Sequence, residues 1–402
     1  MLGEEEIRQL TFQVVDHKLS TYPTTRSAGR RVAKFRSTGL FASFEPSQEE
    51  VAKVARQYDL IMLVAARSHL VPVMKQYNPS LKVLMYFDSG LTPQASLIDA
   101  GSVDEQNTEW LVTYHPEWLL KDGWGNPIKG ESYWPDPGNQ EWQAFFAEKL
   151  NRALELTGDV WDGVLLDQFL GFHNSHRDYA GTELQVNYGN DSEFQAAQLS
   201  FLQGVSSMVS VPIVPNVEGL SIVTTPSFFS QAVEVSGGAE AEVFVMEAAS
   251  SAGYSPPENI KRYIEVALNA PKDKLILLNS PTAGIAGDVD WTLYAYFTYL
   301  LVAAPDRQVY WTFKEGISAI PHYWYREFDL DLGLPLEGVK VIGDLWNRAF
   351  ENADVVVNPT VNWRSYAFRG IYYDVLGRRL RSPLKVAPHS GLLLVKKTSI
   401  LQ

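Results

Sequence analysis

Four carboxylates stand just past runs of apolar residues in this sequence: Asp88 after VLMYF, Asp167 within DGVLLDQF, Glu218 within VPIVPNVEG and Glu247 within EVFVMEAAS. An ionised side chain directly behind three apolar residues is costly unless it is paired or put to use. Two carboxyl groups facing one another across a pocket can divide the work of breaking a glycosidic bond. One protonates the leaving oxygen, and the other attacks the anomeric carbon or activates water. Amides and rings occupy neighbouring positions: Tyr86, Asn216, Asn279 in LILLNS and Trp311 in VYWTF. Amides bond to hydroxyls, and flat rings suit the C–H faces of sugars. His173 and His176 in GFHNSHRDY suggest a metal less than they suggest a histidine touching a sugar hydroxyl. The other five histidines of the chain occupy no further strand end in a ligand-like pattern, whereas metal sites on such folds draw ligands from several strands. The reading is therefore of a site without metal or cofactor.

These residues need elements that bring them to one place. Eight short, nearly continuous apolar runs recur at 40–44, 60–65, 83–88, 163–169, 212–217, 242–246, 275–279 and 309–313, as expected for parallel strands buried on both faces. Between them, 47–58, 141–156, 193–209, 255–269 and 292–303 place apolar residues at helical spacing. Eight strand and helix alternations predict a (β/α)8 barrel, class α/β, over residues 34–335. Barrels of this kind carry function at the carboxyl ends of their strands, which is where Asp88, Asp167, Glu218 and Glu247 fall. No GxGxxG follows the first strand and no P-loop occurs, so the usual nucleotide-binding readings lack their fingerprints.

Past the barrel, short runs at 354–357, 366–374, 384–387 and 391–396 alternate with turn residues, which predicts a small antiparallel β-sandwich over 336–402. Residues 1–33 fit neither part. The long third connection holds Trp110, Tyr114, His115, Trp118, Trp124, Tyr133, Trp134 and Trp142. It reads as a ring-bearing lid, or as an insertion stapled to the barrel by Trp118 and Trp142.

Composition narrows the partners. The chain has 402 residues, 34 basic and 47 acidic side chains, a formal net charge of -13, and 12% aromatic residues including 11 Trp and 19 Tyr. The acidic balance argues against nucleic acid, which needs clustered Lys and Arg. The absence of cysteine removes disulfides and thiolate chemistry. No run reaches the ~18 to 20 apolar residues of a membrane span. No secretory signal is visible in MLGEEEIRQL, which predicts a cytoplasmic protein or export by another route.

The order of motifs HPEWLLKDGWGNPI, WPDPGNQEWQAFF, DGVLLDQF, PNVEG and VFVMEA, closed by YREFDLDLGLPL, DLWNRAFENADVVVNPT, YYDVLGRRL and PHSGLLLV, resembles the hypothetical glycosyl hydrolase families of bacteria. These are barrels related to the α-amylase and α-galactosidase superfamily, with a carboxyl-terminal β-sandwich. The resemblance spans residues 34–396 and implies an O-glycosidase acting on an oligo- or polysaccharide, with Asp167 as nucleophile. It implies Glu218 as acid/base if the chain is amylase-like and Glu247 if it is galactosidase-like. Leu165 stands where the amylase-like pattern has an Arg, and Asn279 where it has a third acid, which tilts the expectation to Asp167 with Glu247 in a retaining mechanism. Asp88, Tyr86, Asn216, Asn279, Trp311 and His173 are then the expected sugar-binding residues. The rival reading is a non-catalytic barrel, either glycan-binding or structural in a surface or virion-like assembly.

Overall fold

The computed structural model of the protein describes residues 35–36, 45–89, 108–129, 133–173, 185–217, 225–242, 244–245, 253–281, 289–314 and 325–396. Eight parallel strands form one sheet in chain order: β1 (Phe35–Arg36), β2 (Leu60–Val64), β3 (Lys82–Asp88), β4 (Gly163–Phe169), β5 (Ile213–Val217), β6 (Gly238–Ala241), β7 (Leu275–Pro281) and β8 (Val309–Lys314). The sheet curls so that β1 comes alongside β8 as well as β2. Helices α1 (Gln48–Gln57), α2 (Leu70–Tyr77), α3 (Thr108–Tyr114), α4 (Gln140–Leu156), α5 (Asp191–Met208), α6 (Pro226–Val235), α7 (Pro257–Asn269) and α8 (Val289–Leu300) occupy the connections. Helix α1 starts where its residues dictate: Ser47 accepts from the Glu50 amide and Glu50 reaches back to the Ser47 amide, a reciprocal cap. No helix among the described residues is long and apolar enough to cross a membrane.

Side chains alternate across each strand, and the two faces of the sheet have different fates. Val83, Met85, Phe87, Val164, Leu166, Ile213, Ile276, Leu278 and Val309 join the helices in the main core. The opposite, inner face holds a separate apolar cluster of Leu60, Met62, Leu84, Leu165, Val214, Leu275, Leu277 and Tyr310. Continuing each inner row by two residues toward the carboxyl end gives polar groups: Tyr86 and Asp88 on β3, Asp167 on β4, Asn216 on β5, Asn279 on β7 and Thr312 on β8.

One strand differs from the sequence expectation: the sixth is Gly238–Ala241 rather than 242–246. The first described strand is Phe35–Arg36, and the run at 40–44 lies outside the described residues. The sixth strand is set by its glycines. Gly238 takes φ +152° against β7, where a Cβ would lie 1.9 Å from the Leu275 carbonyl oxygen, and a Cβ on Gly237 would lie 2.5 Å from Pro212 Cβ. The apolar run beyond contributes Phe244 and Val245 to the core instead of pairing as strand.

Antiparallel sheets follow. One has the order β14 (Ser390–Val395), β11 (Ala353–Asn358), β10 (Leu345–Ala349), β9 (Lys340–Ile342); the other pairs β12 (Arg364–Tyr366) with β13 (Leu384–Val386). Strand β11 is buried along its whole length because both of its faces are covered. Val355 and Val357 pack into the main core, while Val356 packs with Tyr366, Val386 and Leu394.

Candidate active site

Asp167 sits at a break in the ladder. The β4–β5 register shifts between Leu166 and Phe169, and Gln168 adopts φ +59°, a left-handed conformation that a non-glycine residue occupies at a cost. This turn aims the Gln168 amide at the Asp167 side chain, donating to Oδ1 at 2.8 Å. The neighbouring strand end holds the backbone: the Ser89 amide and hydroxyl both donate to the Asp167 carbonyl, at 3.1 and 2.6 Å. Such bulges re-aim side chains next to functional sites.

Two further donors hold the carboxylate from across the sheet. The Tyr86 hydroxyl donates to Oδ2 at 2.5 Å, and Asn216 Nδ2 donates to Oδ1 at 2.9 Å. Burial pushes the Tyr86 phenol far above its ordinary range, and the charges of Asp167, Asp88 and Glu240 push it the same way. It therefore remains a protonated donor throughout the working pH range.

The same Asn216 nitrogen also donates to Glu242 Oε2 at 3.2 Å. One nitrogen shared at 2.9 and 3.2 Å keeps the Asp167 and Glu242 oxygens within about 6 Å of each other. With each acceptor along one of the amide's two N–H bonds, the separation is about 5 Å. The Glu242 backbone is fixed by the Tyr263 hydroxyl, which donates to its carbonyl at 3.2 Å. Two residues earlier on the strand, Glu240 is 2% exposed and accepts from Asn279 Nδ2 at 3.0 Å. With Nδ2 engaged on carboxylates, Asn216 Oδ1 and Asn279 Oδ1 are buried acceptors that find no donor among the described residues.

Tyr86, Asp88, Asp167, Asn216 and Asn279 thus gather at the carboxyl end of the sheet. His173 lies beyond β4, where its amide and Nδ1 bind Asp191 Oδ1 at 3.0 and 2.5 Å, at the start of α5. Trp311 is a correction. It is 1% exposed on the outer, helix-facing side of β8, packed on Tyr299 and Phe328 and donating to Ser280 Oγ. Its faces are covered by protein. Glu218, Glu247 and His176 lie outside the described residues. Among the described residues no group of three or more His, Asp and Glu could hold a metal ion.

Sequence reasoning passed over Glu240 and Glu242. Their signal is the alternation in GGAEAE, one acid inside the strand and the next just past its end two positions on, hidden because the apolar run that follows looked like the strand.

In the third connection, Trp118 and Trp142 act as staples. They gather with Trp110 and Phe145 at centroid distances of 5.2–6.4 Å, and Trp118 Nε1 bonds Glu141.

Comparison with known proteins yields a family and a set of folds. The sequence profile described as "Hypothetical glycosyl hydrolase family 15" matches residues 75–354. No curated protein sequence matches. A family 39 glycoside hydrolase from Bacteroides cellulosilyticus WH2 superposes with a TM-score of 0.51 at 12% identity, over 92% of this chain and 81% of its own. A noncanonic maltogenic α-amylase from Thermotoga neapolitana gives 0.48 at 12% identity, over 90% and 98%. An Anoxybacillus α-amylase gives 0.49 at 12%, over 87% and 89%. At such identities the likeness is one of fold alone.

Proposed function

The chain belongs to hypothetical glycosyl hydrolase family 15, and from that premise we propose that it is a retaining O-glycosidase of an oligo- or polysaccharide, built on a closed (β/α)8 barrel backed by a β-sandwich. Asp167 attacks the anomeric carbon, and Glu242 protonates the departing oxygen and then activates the water that releases the glycosyl-enzyme. The observation that carries this reading is the Asn216 amide shared by both carboxylates. The spacing it imposes matches the roughly 5–5.5 Å of retaining pairs and is shorter than the roughly 6.5–9.5 Å that leaves room for water in inverting ones. Among the described residues Asp167 is held by Tyr86, Asn216 and a backbone amide rather than by a Lys or Arg, which favours a working carboxylate over a structural ion pair. Asn216 positions both carboxylates, and Glu240 holds the Asn279 amide in place.

A panel of chromogenic α- and β-glycosides identifies the substrate. Asp167→Asn abolishes turnover while glycan binding persists. Glu242→Gln lowers kcat/KM for substrates with poor leaving groups by about 10²–10⁴-fold and spares it for activated aryl glycosides, whose kcat nevertheless falls because hydrolysis of the glycosyl-enzyme has lost its base. Survival of turnover in Asp167→Asn defeats the assignment of the nucleophile. A leaving-group-dependent loss in Glu218→Gln or Glu247→Gln, with Glu242→Gln unaffected, moves the acid/base there.

A further inference from the structure

Four of the five tryptophans described in the third connection are built into the protein: Trp110, Trp118 and Trp142 pack on one another and on Phe145, and Trp134 is 2% exposed. The fifth, Trp124, is 78% exposed, and among the described residues its ring stacks on no other. An exposed indole on a slack loop would be unremarkable, but this one is rigidly mounted. Lys121 and Pro127 pair as an antiparallel bridge, and Trp124 sits in the turn they close. The Asp122 amide donates to the Asn126 carbonyl at 2.9 Å, and the Gly125 amide to the Asp122 carbonyl at 3.0 Å. The Asp122 side chain, 7% exposed, fills the turn from within: Oδ1 accepts from the Trp124 and Asn126 amides at 2.9 and 2.8 Å, and Oδ2 from Asn126 Nδ2 at 3.2 Å. Gly125 supplies the positive φ of +84° that the turn requires, and open space surrounds the Cβ positions of both Gly123 and Gly125. The indole therefore projects between two residues that cannot cover it.

The mount is fastened to the strand that carries Asp167. Leu120 and Ile128, at the base of the hairpin, are buried with Leu170, three residues beyond Asp167, and with Trp134 and Phe194. Beside them the Lys121 amide donates to Asn187 Oδ1 at 2.8 Å, and the Val186 amide to the Lys121 carbonyl at 2.9 Å. The hairpin and the segment leading to α5 are the connections that follow β3 and β4, so both stand on the face where Tyr86, Asp88 and Asp167 gather. Extended chain lengths from Asp167 to Leu170 and from Leu120 to Trp124, with the packing contact between them, keep the ring within about 30 Å of the carboxylate.

We propose that Trp124 is a distal stacking platform for the glycan chain whose nearer end occupies the Asp167 site. Its occupant is a sugar ring presenting an axial C–H face, which a rigid indole receives with little loss of conformational entropy. The inference rests on the reading of this face as a glycan site, but it concerns chain binding rather than bond cleavage.

Native affinity electrophoresis tests it with soluble starch, hydroxyethylcellulose, mixed-linkage β-glucan, xylan and glycol chitosan cast in the gel. At least one polymer is expected to retard both the wild type and Asp167→Asn. Trp124→Ala then weakens retardation at least tenfold in apparent affinity, and Trp124→Phe restores most of it. Trp363→Ala, which removes a half-exposed ring from the carboxyl-terminal sheets, migrates like the wild type. An unchanged melting temperature in Trp124→Ala separates lost binding from lost fold. Equal retardation of wild type and Trp124→Ala overturns the proposal, and so does failure of every polymer to retard the wild type. Retardation that depends on Trp124 in a protein that cleaves no glycoside leaves the platform standing and removes the hydrolase reading.

Discussion

Replacing Arg348 with Met tests how the carboxyl-terminal sheets are joined to the eight-stranded one. Arg348 lies on β10 with 5% exposure, and its Nη1 donates to the carbonyls of Leu300, Leu301 and Ala303 at 3.2, 2.7 and 2.8 Å, while Nε donates to the Glu337 carbonyl at 3.3 Å. Leu300 ends α8 and Leu301 and Ala303 belong to the turn just beyond it, where a helix end has no internal donors left for its carbonyls. Methionine fills much of the same space and supplies no donor. Three buried acceptors left open cost about 1–3 kcal/mol each, or about 6 kcal/mol together. Part of that is returned, because the guanidinium is itself poorly solvated: burial lowers its pKa from 12.5 to about 10. A change of that size corresponds to about 3 kcal/mol of unfavourable burial relieved on removing the charge. The net expectation is a loss of about 3 kcal/mol. At roughly 2 cal/mol/K of unfolding entropy per residue, that lowers the melting temperature by about 4 °C if the chain melts as one unit. Scanning calorimetry measures it, with Arg378→Met as the control. That residue's ion pair with Asp374 is half-exposed, and its removal shifts stability by less than about 1 kcal/mol. A melting temperature for Arg348→Met within about 1 °C of the wild type, or above it, refutes the claim that the helix-end carbonyls depend on this side chain.

Two further outcomes follow from local geometry. Gln168→Val puts a β-branched residue at φ +59°, which L residues with branched Cβ atoms resist. Turnover is expected to fall at least tenfold through kcat with little change in KM, while Gln168→Gly, free to adopt that conformation, retains most of it; equal activities would remove the bulge as the device that aims Asp167. His389 stacks on Tyr254 at 4.0 Å with its Nδ1 buried and without a partner among the described residues, and burial lowers its pKa from 6.5. Below about pH 6.5 the unfolded chain takes up a proton that the folded chain resists, so stability falls as the solution is acidified through that value. Urea midpoints at pH 8 and pH 5.5 should converge in His389→Phe relative to the wild type, and an unchanged gap would show that His389 carries none of the dependence.

Much of the architecture was legible because burial writes itself in runs. VLLDQF and LILLNS are apolar on both faces since one faces helices and the other a filled interior, and the sheet follows at those residues. Helix ends were equally readable where a cap is chemical, as at Ser47 and Glu50. The sixth strand escaped the same logic. GAEA has little apolar character, and its position comes from Gly237 and Gly238 allowing β5 and β7 to approach more closely than any Cβ permits. That is a property of the neighbours rather than of the strand's own composition.

The position of the sixth strand decides how Glu240 and Glu242 stand relative to Asn216 and Asp167. Reading 242–246 as strand puts Glu247 at the mouth and treats Glu242 as a strand start, at the far end from chemistry. With Gly238–Ala241 as the strand, Glu240 falls inside it, opposite Asn216 in the register, and Glu242 lies just past its end. The slip of four residues therefore exchanges bottom for top. It also explains why Asn216, read from sequence only as a sugar contact, acts first on protein groups: one nitrogen on β5 reaches the carboxylates of both adjacent strands. Trp311 was misread for the complementary reason. A strand end names a level on the sheet, but whether a residue there faces the interior or the helices depends on parity. The inner row of β8 runs through Tyr310 and Thr312, leaving Trp311 between them to face outward.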